Sequence, residues 1–182
     1  MLKKALVILA DGFEEIEAIT SIDILRRGYI DVTVAALSTK VVTGAHGIKI
    51  SADILLEQFN QDIDALVLPG GSPGSENLNK SKKVHEIISK TFKANKVVAA
   101  ICAAPALVLE PAGILKNKRA TCYPGMEKLF SEDVKFIDEA VVRDGNLITS
   151  RGIGAALRFA LCIVETLIDK STADALAEKV VV

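Results

Sequence analysis

Apolar runs and amphipathic stretches alternate along the chain. Lys4–Ala10 reads as a strand covered on both faces. In Glu14–Arg27, Ile16, Ile19 and Ile22 recur at three-residue spacing, which predicts a helix carrying that stripe, and Gly28 ends it. Asp31–Leu37 is β-branched and apolar. Val41–Thr43 and Ile48–Ile50, joined by Gly44-Ala45-His46-Gly47, predict a hairpin. Ala65–Leu68 is a short buried strand ending in Pro69-Gly70-Gly71. Ser81–Ala94 has the pattern of a helix with its lysines outside, and Val97–Ile101 that of another buried strand. Ala120–Tyr123, Val134–Phe136, Glu139–Arg143 and Leu147–Ser150 are shorter strand candidates. Gly154–Asp169 and Thr172–Val180 are the closing helices.

Strands alternating with helices imply an α/β fold in three layers, a mostly parallel sheet with helices on both faces. The 182 residues suit a single domain spanning 1–182. In such a sheet, ligands sit at the carboxyl ends of the strands, where strand order reverses. The loops to read are therefore Asp11–Glu17, Pro69–Gly74, the turn at Cys102, and Ser150–Gly154.

Composition removes several function classes. Half the residues are hydrophobic, a quarter are charged, and the formal net charge is −1. No basic excess points to nucleic acid, and no apolar stretch is long enough for a membrane span. The N-terminal apolar run is cut short by Asp11-Gly12, so a core strand is expected there rather than a signal segment. Cys102, Cys122 and Cys162 have no metal-type spacing and no even count, which favours reduced thiols in a cytoplasm. With two histidines, His46 and His85, no His-rich metal site is expected.

The strongest chemical signal is Val97 to Pro105. A buried strand stops at Cys102, and small residues follow before a helical pattern, Ala106–Leu109. Ala100 and Ala104 flank the cysteine at two residues' distance, as a tight nucleophile elbow requires. A thiol at the start of a helix would have its pKa lowered. A buried cysteine serving as a small core residue is the plain alternative. Glu14, Glu15 and Glu17 crowd the first helical turn, where acids are common. Spacing leaves two roles open for Glu17. It is either one more helix-start acid, or it points inward at the cysteine and stays protonated. Gly70 and Gly71 let the backbone approach a ligand. The Gly71 and Ala103 N–H groups would form an oxyanion hole at Cys102. Both histidines read as surface residues, so a Cys-His hydrolase lacks its base. Cys122 reads as packing or a resolving thiol, and Cys162 as structural.

Leu6–Glu17, Val67–Gly71, Ala99–Pro105 and Thr149–Gly154 resemble the ThiJ/PfpI superfamily, in the branch of the parkinsonism-associated protein deglycase and bacterial YajL-type proteins. The resemblance runs from about residue 3 to the last helix. It implies a flavodoxin-like fold and a homodimer. Cys102 matches the reactive, easily oxidised cysteine, Glu17 the glutamate that hydrogen-bonds it, and Gly71 and Ala103 the backbone donors. It implies glyoxalase or deglycase chemistry on small dicarbonyls or on glycated proteins and nucleotides, with no cofactor and no metal. Redox-sensitive chaperoning is the alternative implied role. Tyr123 stands where some members carry a histidine, and its hydroxyl is expected within reach of a ligand at Cys102. Ala103 stands where the protease-like branch carries one, which disfavours peptidase activity.

Overall fold

The computed structural model describes residues 2–182. The strands are β1 (Lys4–Leu9), β2 (Asp31–Ala36), β3 (Val41–Thr43), β4 (Lys49–Ser51), β5 (Ile54–Leu55), β6 (Ala65–Leu68), β7 (Val97–Ile101), β8 (Arg119–Ala120), β9 (Lys135–Phe136), β10 (Val141–Asp144) and β11 (Leu147–Ser150). The helices are α1 (Glu15–Arg27), α2 (Gly74–Asn79), α3 (Lys82–Lys93), α4 (Ala156–Leu167) and α5 (Lys170–Lys179).

Seven strands form the central sheet, in the order β10-β11-β7-β6-β1-β2-β5. All neighbours are parallel except β10 and β11. β1, β6 and β7 are buried on both faces, apart from Lys4 at the start of β1. This is why they read as unbroken apolar runs rather than alternating ones. One apolar layer joins the sheet to α1, α4 and α5 through residues such as Leu25, Phe159 and Leu176. The other joins it to α2 and α3 through Leu78, Val84 and Ile88. The expected three-layer α/β architecture is therefore present. The chain runs from β1 outward to β2 and β5, then crosses back to β6, so strand order reverses between β1 and β6.

Several boundaries differ from the sequence reading. β8 stops at Ala120 rather than Tyr123, and α2 was not expected at all, since its polar sequence carries no apolar periodicity. The segment after Cys102 is a single wide π-helical turn, Pro105–Leu109, rather than a regular helix. The larger correction concerns α1. Ile16 and Ile19 are 53% and 46% exposed, whereas Glu17, Ala18, Ser21, Ile22, Ile24 and Leu25 are buried. Two helical stripes are possible in this sequence. The less apolar one faces inward because α1 packs its small residues close against α4. A methyl group on Gly28, just after α1, would lie 3.2 Å from Val164 Cγ2.

Candidate active site

Three strand ends converge at the reversal point. The loop after β1 leads into α1 and carries Glu17, the loop after β6 carries Gly70 and Gly71, and β7 ends at Cys102. Cys102 has φ +66°, a left-handed conformation that a residue with a side chain adopts only when its surroundings impose it. Two backbone bonds do so. The Cys102 N–H donates to Ser150 O at 2.8 Å, and its carbonyl accepts from the Tyr123 N–H at 2.7 Å. Ala100 and Ala104 are fully buried on either side, so the tight turn needs the small residues the sequence supplies.

Glu17 is completely buried. Its Oε2 accepts from the Gly70 N–H at 2.8 Å. Its Oε1 is buried without a hydrogen-bond partner, and the carboxyl faces the Cys102 thiol. Burial pushes the carboxyl up to about 7, against the Gly70 and Cys102 hydrogen bonds, and nearby Glu14 adds to the rise. Glu17 thus points inward, toward the cysteine.

The glycines make this geometry possible. A Cβ on Gly70 would lie 2.6 Å from Cys102 Cβ and 2.9 Å from Glu17 Oε2. Gly71 has φ +93°, and a Cβ there would lie 2.5 Å from both Glu14 N and Gly12 O. No side chain fits at either position. The N–H groups of Gly71 and Ala103 approach the Cys102 sulfur and favour its thiolate.

One expectation is reversed. The Cys102 thiol is pushed up to about 12 rather than lowered. Burial is the main cause, followed by the negative charge of Glu17 and the hydrogen bond to it, and the Gly71 and Ala103 N–H groups only partly offset these. No regular helix begins here to supply a compensating dipole. Glu17 raises the thiol while its hydrogen bond with Cys102 lowers the carboxyl, so the carboxyl gives up its proton first and the pair carries at most one negative charge near neutrality. When Glu17 holds the proton, its repulsion of the thiolate disappears.

Tyr123 lies at the mouth. A Cβ on Gly152 would lie 3.6 Å from Tyr123 Cδ2 and 4.0 Å from Cys102 Sγ, so ring and thiol flank one small space. The Tyr123 hydroxyl has no protein partner among the described residues, and the residue is 51% exposed. Gly152 itself was not singled out in the sequence. Only its place in the loop after the last parallel strand hinted at a role.

Glu14 and Glu15 are not merely helix-start acids facing solvent, because both are buried. Glu14 caps α1, accepting the Glu17 N–H at 2.8 Å. Glu15 receives the His46 N–H at 2.6 Å, pairs with His46 Nδ1 at 2.9 Å, and accepts from Ile48 N at 3.4 Å. It thereby pins the β3–β4 hairpin to the start of α1. Burial alone would raise Glu15, but the His46 ring, the His46 backbone and Ile48 outweigh it and lower the pKa. His46 is raised in turn, first by its hydrogen bond to Glu15. Glu14, Glu15 and His46 place three donor atoms within 4.8 Å of one another. Both carboxylates are already engaged by N–H groups, so the cluster is built as a clasp. His46 is an exposed side chain, as expected, and His85 Nε2 lies 2.8 Å from Asn79 O. Neither is among the groups that influence Cys102. Cys122 is buried, and Cys162 is half-buried on α4.

A model of the DJ-1/PfpI family matches residues 3–166. The chain belongs to that family. It is 46% identical over 162 residues to Protein DJ-1 homolog B of Arabidopsis thaliana, covering 88% of this chain but 37% of that one. It therefore spans well under half the length of that relative. It is 38% identical over 150 residues to a protein of Pyrococcus abyssi named a deglycase, covering 81% of this chain and 89% of the relative. Among solved structures, Drosophila melanogaster DJ-1beta superposes with TM-score 0.96 at 40% identity, covering 100% and 99% of the two chains. Oxidised Toxoplasma gondii DJ-1 gives TM-score 0.95 at 34% identity, with 98% of each chain covered. These neighbours also make the flavodoxin-like fold of the DJ-1/PfpI family the fold of this chain. Among the described residues, no helix is long and apolar enough to cross a membrane.

Proposed function

We propose that the chain is a cofactor-free enzyme that converts reactive dicarbonyls, or early glycation adducts, through Cys102. One observation carries this reading. A fully buried carboxyl with a pKa of about 7 faces a thiol that also meets two backbone N–H groups. A group titrating near neutrality is suited to take and return a proton.

The reaction on a 2-oxoaldehyde balances without a redox partner. The Cys102 thiolate adds to the aldehyde carbon, forming a C–S bond. The oxyanion that results sits against the N–H groups of Gly71 and Ala103, takes the proton that Glu17 holds while Cys102 is a thiolate, and becomes the hydroxyl of a hemithioacetal. Glu17, now a carboxylate, removes the proton from that carbon and delivers it to the adjacent carbonyl carbon, while the hemithioacetal hydroxyl proton passes to that carbonyl's oxygen. One carbon is oxidised to a thioester while its neighbour is reduced to an alcohol. Water then adds to the thioester, the C–S bond breaks, and a 2-hydroxy acid leaves with the thiolate restored. The Pyrococcus relative's name supports the glycation branch of this reading. Lactate formed from methylglyoxal by the wild type, and none above background with Cys102→Ser, is the expected result. Equal lactate from both proteins overturns the proposal.

A second reading has one specific observation in its favour, the oxidised state of the Toxoplasma relative. Here Cys102 is oxidised to sulfinate, held by the Gly71 and Ala103 N–H groups and by protonated Glu17, and the protein acts as a redox-responsive stress factor or chaperone. The lactate assay separates the two.

We infer in addition that two copies pair through α1. Ile16 and Ile19 on α1 are exposed, and so is Ile48 in the hairpin that Glu15 holds to the start of α1. Apolar surface of this kind is usually covered by a partner. Light scattering should report twice the chain mass, and Ile16→Glu should halve it. A wild-type monomer at micromolar concentration excludes the pairing.

A further inference from the structure

Cys102 is surrounded by groups that leave little room on three sides. Gly70 lies against its Cβ, while Glu17 and the N–H groups of Gly71 and Ala103 meet its sulfur. The remaining side is different. Gly152 has φ +149° and ψ −167°, backbone that essentially only glycine adopts. Its missing side chain leaves a gap bounded by the sulfur and by the edge of the Tyr123 ring. The ring cannot drift far from the nucleophile, because the Tyr123 N–H is bonded to the Cys102 carbonyl itself. Half of the tyrosine is exposed, and its hydroxyl is not tied to any described residue. A flat surface is thus held beside the reactive atom with nothing packed on its open part.

We propose that Gly152 and Tyr123 form a slot that receives the group attached to the reacting carbon, and that it selects flat apolar groups. The preferred substrates are then aryl 2-oxoaldehydes, such as phenylglyoxal, over methylglyoxal. The substrate assignment rests on the dicarbonyl reading, whereas the slot as a feature of the pocket does not. An aryl group stacked or set edge-on against the ring gains an aromatic contact worth about threefold to tenfold in rate or affinity. A methyl group gains almost none of it.

Two measurements test this. The first needs no turnover. Cys102 is alkylated with iodoacetanilide and with iodoacetamide, the thiolate displacing iodide in each case, and mass spectrometry reports labelling at that residue. The ratio of the two rate constants, normalised to a free thiol, should fall about threefold to tenfold in Tyr123→Ala and stay at the wild-type value in Tyr123→Phe. The second compares kcat/KM for phenylglyoxal and methylglyoxal in the same three proteins, and the ratio should fall by the same factor. If the alkylation ratio of Tyr123→Ala stays within twofold of wild type, the slot is overturned. If the alkylation ratio falls but neither dicarbonyl is consumed, the slot stands and the enzymatic reading fails. If both dicarbonyls are consumed with an unchanged kcat/KM ratio, the substrate preference is overturned while the enzymatic reading stands.

Discussion

Replacing Glu17 with glutamine tests the buried carboxyl directly. Burial raises its pKa from 4.5 to about 7, so the fold favours the protonated form. The stability this gives is fully present below about pH 4.5, the value in the unfolded chain, and is lost as pH rises through about 7. At about 1.4 kcal/mol per pH unit, the wild type should lose about 3 kcal/mol from this group across that window. Glutamine is isosteric with the protonated acid. Its carbonyl can accept from the Gly70 N–H, and its amide can donate toward the sulfur. The Glu17→Gln protein should keep the fold and lack this pH dependence. Urea unfolding at intervals from pH 4.5 to 8, at one protein concentration, reads the difference between the two profiles. The thiol supplies a second readout. With the negative charge of Glu17 removed, the Cys102 pKa should fall from about 12, moving the alkylation profile to lower pH. Turnover should nevertheless be lost, because an amide cannot carry the proton. Parallel unfolding profiles together with an unmoved alkylation profile would refute the reasoning.

Other expectations follow from neighbouring residues. Cys102 should be alkylated and oxidised before Cys122 and Cys162 at neutral pH, since protonating Glu17 removes its repulsion and the sulfur faces the Gly152 gap; mass spectrometry showing either other cysteine modified first would contradict this. Gly70→Ala should cost about 1–3 kcal/mol in urea unfolding and abolish turnover, because its methyl group would occupy the space of Cys102 Cβ. The clasp between Glu15 and His46 has two limits. The contribution of Glu15 is present above pH 4.5 and lost as pH falls through its lowered value, while that of His46 is present below pH 6.5 and lost as pH rises through its raised value. His46→Ala should therefore speed amide exchange across Thr43–Ile48 most at mildly acidic pH, and an equal effect at pH 9 would rule out the charged pair.

Much of this was legible in the residue pattern, for identifiable reasons. Strands buried on both faces must be apolar at every position, so β1, β6 and β7 announce themselves, and their alternation with helices leaves little choice of layering. A turn as tight as that at Cys102 excludes large neighbours, so Ala100 and Ala104 marked it, and Gly70-Gly71 marked a close approach of backbone. Local pattern failed where two answers satisfied it equally. On α1 the isoleucine stripe and the stripe through Ala18, Ser21 and Leu25 both have helical spacing. Only the closeness of α4 and the space beside Gly70 decide that the second stripe, with Glu17, turns inward. The state of the thiol was out of reach for the same reason. Its pKa is set by burial and by the charge of a residue 85 positions away, against two N–H groups from separate loops. His46 reads as an ordinary loop residue until the hairpin folds onto α1 and meets Glu15. Sequence determines which elements form, because backbone geometry and apolar periodicity act over a few residues. Which faces meet, and what charge a buried group carries, depend on distances between segments far apart in the chain, and these exist only once the chain has folded.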